Sequence, residues 1–61
     1  MNSFMESYIA SACSYLRAFE QSLRMAAMKD DGRIDKDEQK KIDKAYKLTE
    51  KYISELSKLT D

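Results

Sequence analysis

Apolar residues recur along the first half of the chain at helical intervals. Met5, Ile9, Ala12, Leu16, Phe19, Leu23 and Ala26 follow one another at spacings of 4, 3, 4, 3, 4 and 3. Side chains at those offsets share one side of a helix, and the seven-residue repeat is that of a coiled-coil-like seam. Tyr8, Tyr15 and Ser22 flank the seam on one side; Cys13, Ala27 and the stems of Glu6 and Glu20 flank it on the other. The resulting stripe is broader than a two-stranded seam needs and predicts a bundle of three or four helices. Ser3, followed three residues later by Glu6, matches a reciprocal cap, so the helix is expected over 3–28, roughly 40 Å at 1.5 Å per residue.

A second stripe follows. Ile42, Ala45, Tyr46, Thr49, Tyr52, Ile53, Leu56 and Leu59 line one side of a helix expected over 35–59, with Asp35 and Glu38 as its capping box and Asp37 adding negative charge at the positive end of the helix dipole. The opposite side carries Lys36, Lys40, Lys44, Lys47, Lys51 and Lys58, interleaved with Asp43, Glu50 and Glu55. Asp43 precedes Lys47 by four residues, the favourable order for a surface ion pair. Mixed charge of this kind marks a solvated face.

Between the two patterns, 29–34 holds the only glycine, Gly32, and neither helix contains proline. Two helices of similar length joined by so short a loop lie antiparallel. The expected fold is all-α, a single helical-hairpin domain over 1–61. Pairing two hairpins into a four-helix bundle is the simplest way to cover both stripes. The interface and core are then Met5, Ile9, Ala12, Leu16, Phe19, Leu23 and Ala26 from the first helix, with Ile42, Ala45, Tyr46, Thr49, Tyr52, Ile53, Leu56 and Leu59 from the second. Leu16→Ala or Phe19→Ala is expected to remove about 2–5 kcal/mol.

Length strengthens the case for association. A chain of 61 residues buries only about 60% of the surface it exposes when unfolded and is usually supplemented by disulfides, a metal or a partner. Cys13 is alone and histidine is absent, so an internal disulfide and the thiolate and imidazole ligands of a zinc site are missing. Cys13 is expected to be a small, half-buried residue.

Eleven basic and eleven acidic residues cancel, and residues 29–61 alone hold nine of each sign. This is not the net basic face of a nucleic-acid module. The longest apolar run is too short to span a membrane, and the N-terminus lacks the pattern of a secretory signal, so a cytoplasmic location is expected. Catalysis needs a nucleophile and a base converging in a partly dry site. With no histidine, and with Cys13 lacking a sequence-local activator, neither an enzyme nor a cofactor or small-molecule substrate is expected. Phe4 and Met25 lie off the seam and would form a docking patch if left exposed.

The loop has three partial resemblances. With Gly32 at the sixth position of a twelve-residue EF-hand loop, Asp31, Ile34, Asp35 and Glu38 fall at the fifth, eighth, ninth and twelfth, while Ala27 and Lys29 occupy the first and third. The segment thus resembles the second half of an EF-hand, which makes Asp31, Asp35 and Glu38 the candidate calcium ligands. Read without that likeness, the same residues are a turn and a cap around Gly32. The stretch 26–38 also resembles the helix-turn-helix of TerB-like tellurite-resistance domains, with their D-G-x-I-D-x-x-E string; that likeness implies the turn geometry and a bacterial origin. Asp35-x-Asp37-Glu38-Gln39-x-x-Ile42 is similar to the start of the second helix in Rop-type plasmid copy-number regulators, hairpins that dimerise into four-helix bundles and bind paired RNA loops. The likeness implies the architecture, with RNA binding as the alternative function; Arg17 and Arg24 are the only basic residues the first helix offers for it. The reading these observations favour is a small non-catalytic interaction or adaptor module, acting as a homodimer or as a hairpin completed by a helical partner.

Overall fold

Two α-helices, α1 (Ser3–Met28) and α2 (Lys36–Lys58), pack against each other as a hairpin. The computed structural model describes residues 1–29 and 31–60; Asp30, inside the expected loop, and Asp61 lie outside the described residues. The all-α hairpin expected from the two stripes is what the chain forms.

Local chemistry accounts for the helix ends. Asp35 is the α2 cap: its Oδ1 accepts from the Glu38 N–H at 2.8 Å while Glu38 Oε1 accepts from the Asp35 N–H at 3.1 Å. This is the reciprocal box expected, and it makes Lys36 rather than Asp35 the first helical residue. At the other end Leu59 is the cap, its N–H reaching the Leu56 carbonyl at 3.1 Å. For α1 the cap lies one residue earlier than expected. Asn2 Oδ1 accepts from the Met5 N–H at 2.9 Å, and the Glu6 N–H closes the first turn on the Asn2 carbonyl at 3.1 Å. Asparagine caps as well as serine does, so Ser3 enters the helix and the Ser3–Glu6 box does not form. In the turn, the Gly32 N–H reaches the Met28 carbonyl at 2.9 Å, and Gly32 has φ +79. Among the described residues only Gly32 takes the left-handed conformation, which lets the chain leave α1 without a Cβ penalty.

The strip of α1 that faces α2 is not quite the seam expected. Ile9, Leu16 and Leu23 are half-buried as anticipated, but the positions between them are filled by Cys13, Glu20 and Ala27. Ala12 is half-buried on the edge, whereas Met5, Phe19 and Ala26 are exposed. On α2 the facing strip is Ile42, Tyr46, Thr49, Ile53 and Leu56, with Ala45 half-buried beside it and Tyr52 and Leu59 exposed. The cause is polar. Glu20 is only 6% exposed; Thr49 Oγ1 lies 2.6 Å from its Oε2, and Tyr46 Oη donates to its main-chain carbonyl at 3.0 Å. The Thr49 hydroxyl also lies 3.1 Å from the Tyr46 carbonyl; with one proton to give, its shorter contact is the carboxylate. A buried carboxylate needs such a partner, and satisfying it turns the Glu20 side of α1 inward and the Phe19 side outward.

Ile42 and Ile53 are the only buried apolar side chains among the described residues, so the polar seam carries much of the register. Thr49→Val should lower the unfolding free energy by about 1–3 kcal/mol by stranding the Glu20 carboxylate, and adding Glu20→Leu should recover most of that loss. Gly32→Ala, which meets no neighbouring atom, should cost about 1 kcal/mol through φ alone. Urea unfolding at matched protein concentration measures all three.

Candidate interaction surface

The hairpin is a slab one helix thick, with Cα extents of 46 × 17 × 9 Å. It therefore has two broad sides, and they differ in chemistry. On one side lie Glu6, Cys13, Arg17 and Arg24 of α1 beside Asp43, Glu50 and Ser57 of α2, as their helical spacing requires. Arg17 and Glu50 bridge the helices there at 3.7 Å. Both are well exposed, so the pair adds at most a few tenths of a kcal/mol. A small recess lined by Glu6, Ile9, Ala10, Cys13, Ser57 and Thr60, about 280 Å3, opens at the N-terminal end of α1.

The other side is mainly apolar. Phe4, Met5, Tyr8, Tyr15 and Phe19 line up along α1, and Leu48, Tyr52 and Leu59 along α2. Phe4 and Tyr8 are each 79% exposed, Tyr15 76% and Tyr52 60%. The Arg17–Glu50 contact marks the relative height of the helices, which places Phe19 level with Leu48, Tyr15 level with Tyr52 and Tyr8 level with Leu59. Between the helices on this side runs an open groove of about 400 Å3, floored by Leu23, Ile42 and Ala45 and rimmed by Phe19, Ala26 and Lys41.

α1 contributes no charge to this side. Its four ionisable side chains of fixed sign, Glu6, Arg17, Glu20 and Arg24, lie on the seam or on the opposite side. The flank of α1 pointing away from α2 is equally uncharged: Ser7, Ala10, Ser11, Ser14 and Ala18 form a shallow, open depression beside Tyr15. α2 is the reverse. Its outer flank presents Lys36, Lys40, Lys44, Lys47, Lys51 and Lys58, all exposed. Asp43 takes the amide of Gln39 at 2.8 Å rather than Lys47, and Glu55 takes Lys58 at 3.5 Å.

The sequence-derived interface residues thus separate into two sets. Ile9, Leu16, Leu23, Ile42, Ala45, Tyr46, Thr49, Ile53 and Leu56 join the two helices, and Ala12 sits at the margin; Met5, Phe19, Ala26, Tyr52 and Leu59 face outward. Phe4 falls beside Tyr8 on the aromatic side, while Met25, also exposed, points away from α2. Leu48 is an addition. It lies four residues before Tyr52 on a strip shared with Ala45 and Leu59, a signal present in the sequence but hidden beneath the broader stripe.

The loop carboxylates are engaged in the turn. Asp31 Oδ1 accepts from the Arg33 N–H at 3.2 Å and its Oδ2 is 3.6 Å from Arg33 Nε, while Asp35 and Glu38 cap each other's amides. Among the described residues, no group of three or more histidine, cysteine, aspartate or glutamate side chains is placed to hold a metal ion. No described helix is long and apolar enough to cross a membrane.

No family model, curated protein or solved structure matches the chain. The likenesses to EF-hand, TerB-like and Rop-type sequences therefore rest on the residues quoted for them, and the class the fold defines is a two-helix hairpin. Because the described carboxylates do not converge on a common point, millimolar calcium at low ionic strength should leave the melting temperature unchanged. A ligand binding only the folded state would raise it, so calorimetric heat with a thermal shift would reinstate Asp31, Asp35 and Glu38 as ligands.

Proposed function

We propose that the chain is a small non-catalytic interaction module whose working form is an assembly. A second helical surface, from another copy or from a helical partner, covers its aromatic side. The observation that carries this reading is the concentration of exposed aromatic and aliphatic side chains on one side of a slab one helix thick. Domains are built from at least two packed layers around a shared core, and contiguous exposed apolar surface marks an interaction site. The charged side, bridged by Arg17 and Glu50, then faces solvent.

The absence of histidine and the half-burial of the single thiol support the non-catalytic part. A Rop-like role on nucleic acid has less support. Arg17 is bridged to Glu50, the lysine row of α2 is flanked by Asp43, Glu50 and Glu55, and the formal net charge is zero, whereas phosphate tracking calls for a net basic surface.

Two measurements test the reading together. Sedimentation equilibrium should give a mass above the 7.1 kDa of one chain, and the melting temperature should rise with protein concentration, as linkage to association requires. Phe19 is 45% exposed on the bare hairpin. Phe19→Ala should nevertheless cost about 3–5 kcal/mol, the penalty of a buried ring, if that side is covered. A 7.1 kDa monomer melting cooperatively at high temperature, independent of dilution and indifferent to Phe19→Ala, would end the proposal.

A further inference from the structure

We infer that the occupant of the aromatic side is a second copy of this chain, bound through an antiparallel α1–α1 contact on a two-fold axis that crosses α1 between Ser11 and Ala12. The inference rests on the assembly reading above and goes further by naming the partner and the pairing.

The first support is self-complementarity. Phe4, Tyr8, Tyr15 and Phe19 are spaced 4, 7 and 4 residues apart, an order that reads the same in both directions about the Ser11–Ala12 bond. The spacing also keeps all four on one side of the helix. Rotating a copy by half a turn about an axis there lays Phe4 on the partner's Phe19 and Tyr8 on the partner's Tyr15. Each contact occurs twice, as an isologous interface demands. Ser11 and Ala12 are the small residues at the crossing point, where the two backbones approach most closely.

The second support comes from the other helix. The register fixed by Arg17–Glu50 and Glu20–Thr49 carries the same axis across α2 near Glu55 and Leu56. Tyr52 then meets the partner's Leu59, so the exposed aromatic residue of α2 finds an exposed aliphatic one. Glu55 is the charge nearest the axis, and it already holds Lys58 at 3.5 Å. The axis therefore gathers two acid–base pairs and not two bare carboxylates.

Area and size supply the third support. A compact chain of 7.1 kDa should expose about 4,100 Å2, and this one exposes 5138 Å2. The surplus is about 1,000 Å2 per chain, or about 2,000 Å2 for a pair, the amount at which standard interfaces pass into obligate ones. The radius of gyration, 14.4 Å, exceeds the roughly 10.5 Å expected for a globule of this length, because the chain is a single elongated layer. The hairpin has the dimensions of one layer of a two-layer body.

Paired nitroxide labels on single-cysteine variants test the axis. In a Cys13→Ser background, with Cys13→Ala as the alternative should helix content fall, labels are placed at Ser11→Cys or at Ser22→Cys. Two Ser22→Cys sites would stand about 21 residues apart along the axis, roughly 30 Å at 1.5 Å per residue. Two Ser11→Cys sites would be separated by little more than the interhelical spacing, a distance well resolved from that between two Ser22→Cys sites. Sedimentation of the same samples reports the assembly independently. A dimer with a short Ser11 and a long Ser22 distance supports the pairing. A dimer with the order reversed, or with both distances long, overturns the pairing while the assembly reading stands. A folded monomer, or a chain that assembles only with a different protein, overturns the second copy as occupant.

Discussion

A pair of packed helices hides only the strip of each that faces the other, and every other feature of this hairpin follows from how little that strip can be. α1 and α2 each carry apolar residues across a wider arc than one neighbour can cover. Contact between them leaves Ile42 and Ile53 as the only buried apolar side chains among the described residues. At about 1.5–3 kcal/mol for a buried aliphatic side chain, two isoleucines do not offset the entropy of ordering a chain of this length. The half-buried positions Ile9, Leu16, Leu23 and Leu56 add to them without closing the gap. The physics of the fold thus points outward, to the side where Phe4, Tyr8, Tyr15 and Tyr52 meet water.

Polar chemistry chooses which side that is. Ile9, Leu16 and Leu23 belong to two overlapping seams on α1, one continued by Cys13, Glu20 and Ala27, the other by Met5, Ala12, Phe19 and Ala26. Burial alone favours the second, because phenylalanine hides more apolar surface than the stem of a glutamate. The hairpin takes the first because Thr49 and Tyr46 present hydroxyls at the height of Glu20. Such a contact contributes little net stability compared with an apolar pair. Its effect is on register: sliding α2 by one turn would move the Thr49 hydroxyl about 5 Å along the helix and leave a buried carboxylate without a partner.

The extent to which the sequence is legible follows from the same division. Features settled within a few residues can be read directly. The Asp35–Glu38 box, the positive φ of Gly32, the lengths of both helices and their antiparallel return all depend on nearest neighbours along the chain. The α1 cap was legible only to within one residue, since Asn2 and Ser3 have almost equal capping strength and only the final geometry separates them. The division of the apolar stripe was not legible in α1 at all, because the residues that decide it are on α2, some 26 to 29 positions away. Leu48 escaped for a related reason. The outer strip of α2 is interrupted by Glu55, so its seven-residue repeat is too short to stand out against Ile42, Thr49, Ile53 and Leu56.

The unequal charge of the two helices gives the proposed assembly its orientation. α1 keeps all four of its charges on the seam or the Arg17 side, leaving the aromatic side and the outer flank uncharged, whereas α2 turns six lysines outward. Covering the aromatic side of α1 desolvates rings, alanines and hydroxyls and no α1 ion, while burying the outer flank of α2 would strip water from a row of ammonium groups at several kcal/mol each. Desolvation therefore favours pairing through the aromatic side, with the outer flank of α2 left in water, by more than any difference in apolar area. The lysine row, which in isolation resembles a binding stripe, then acts as the solvated coat that keeps further copies from adding to the outside.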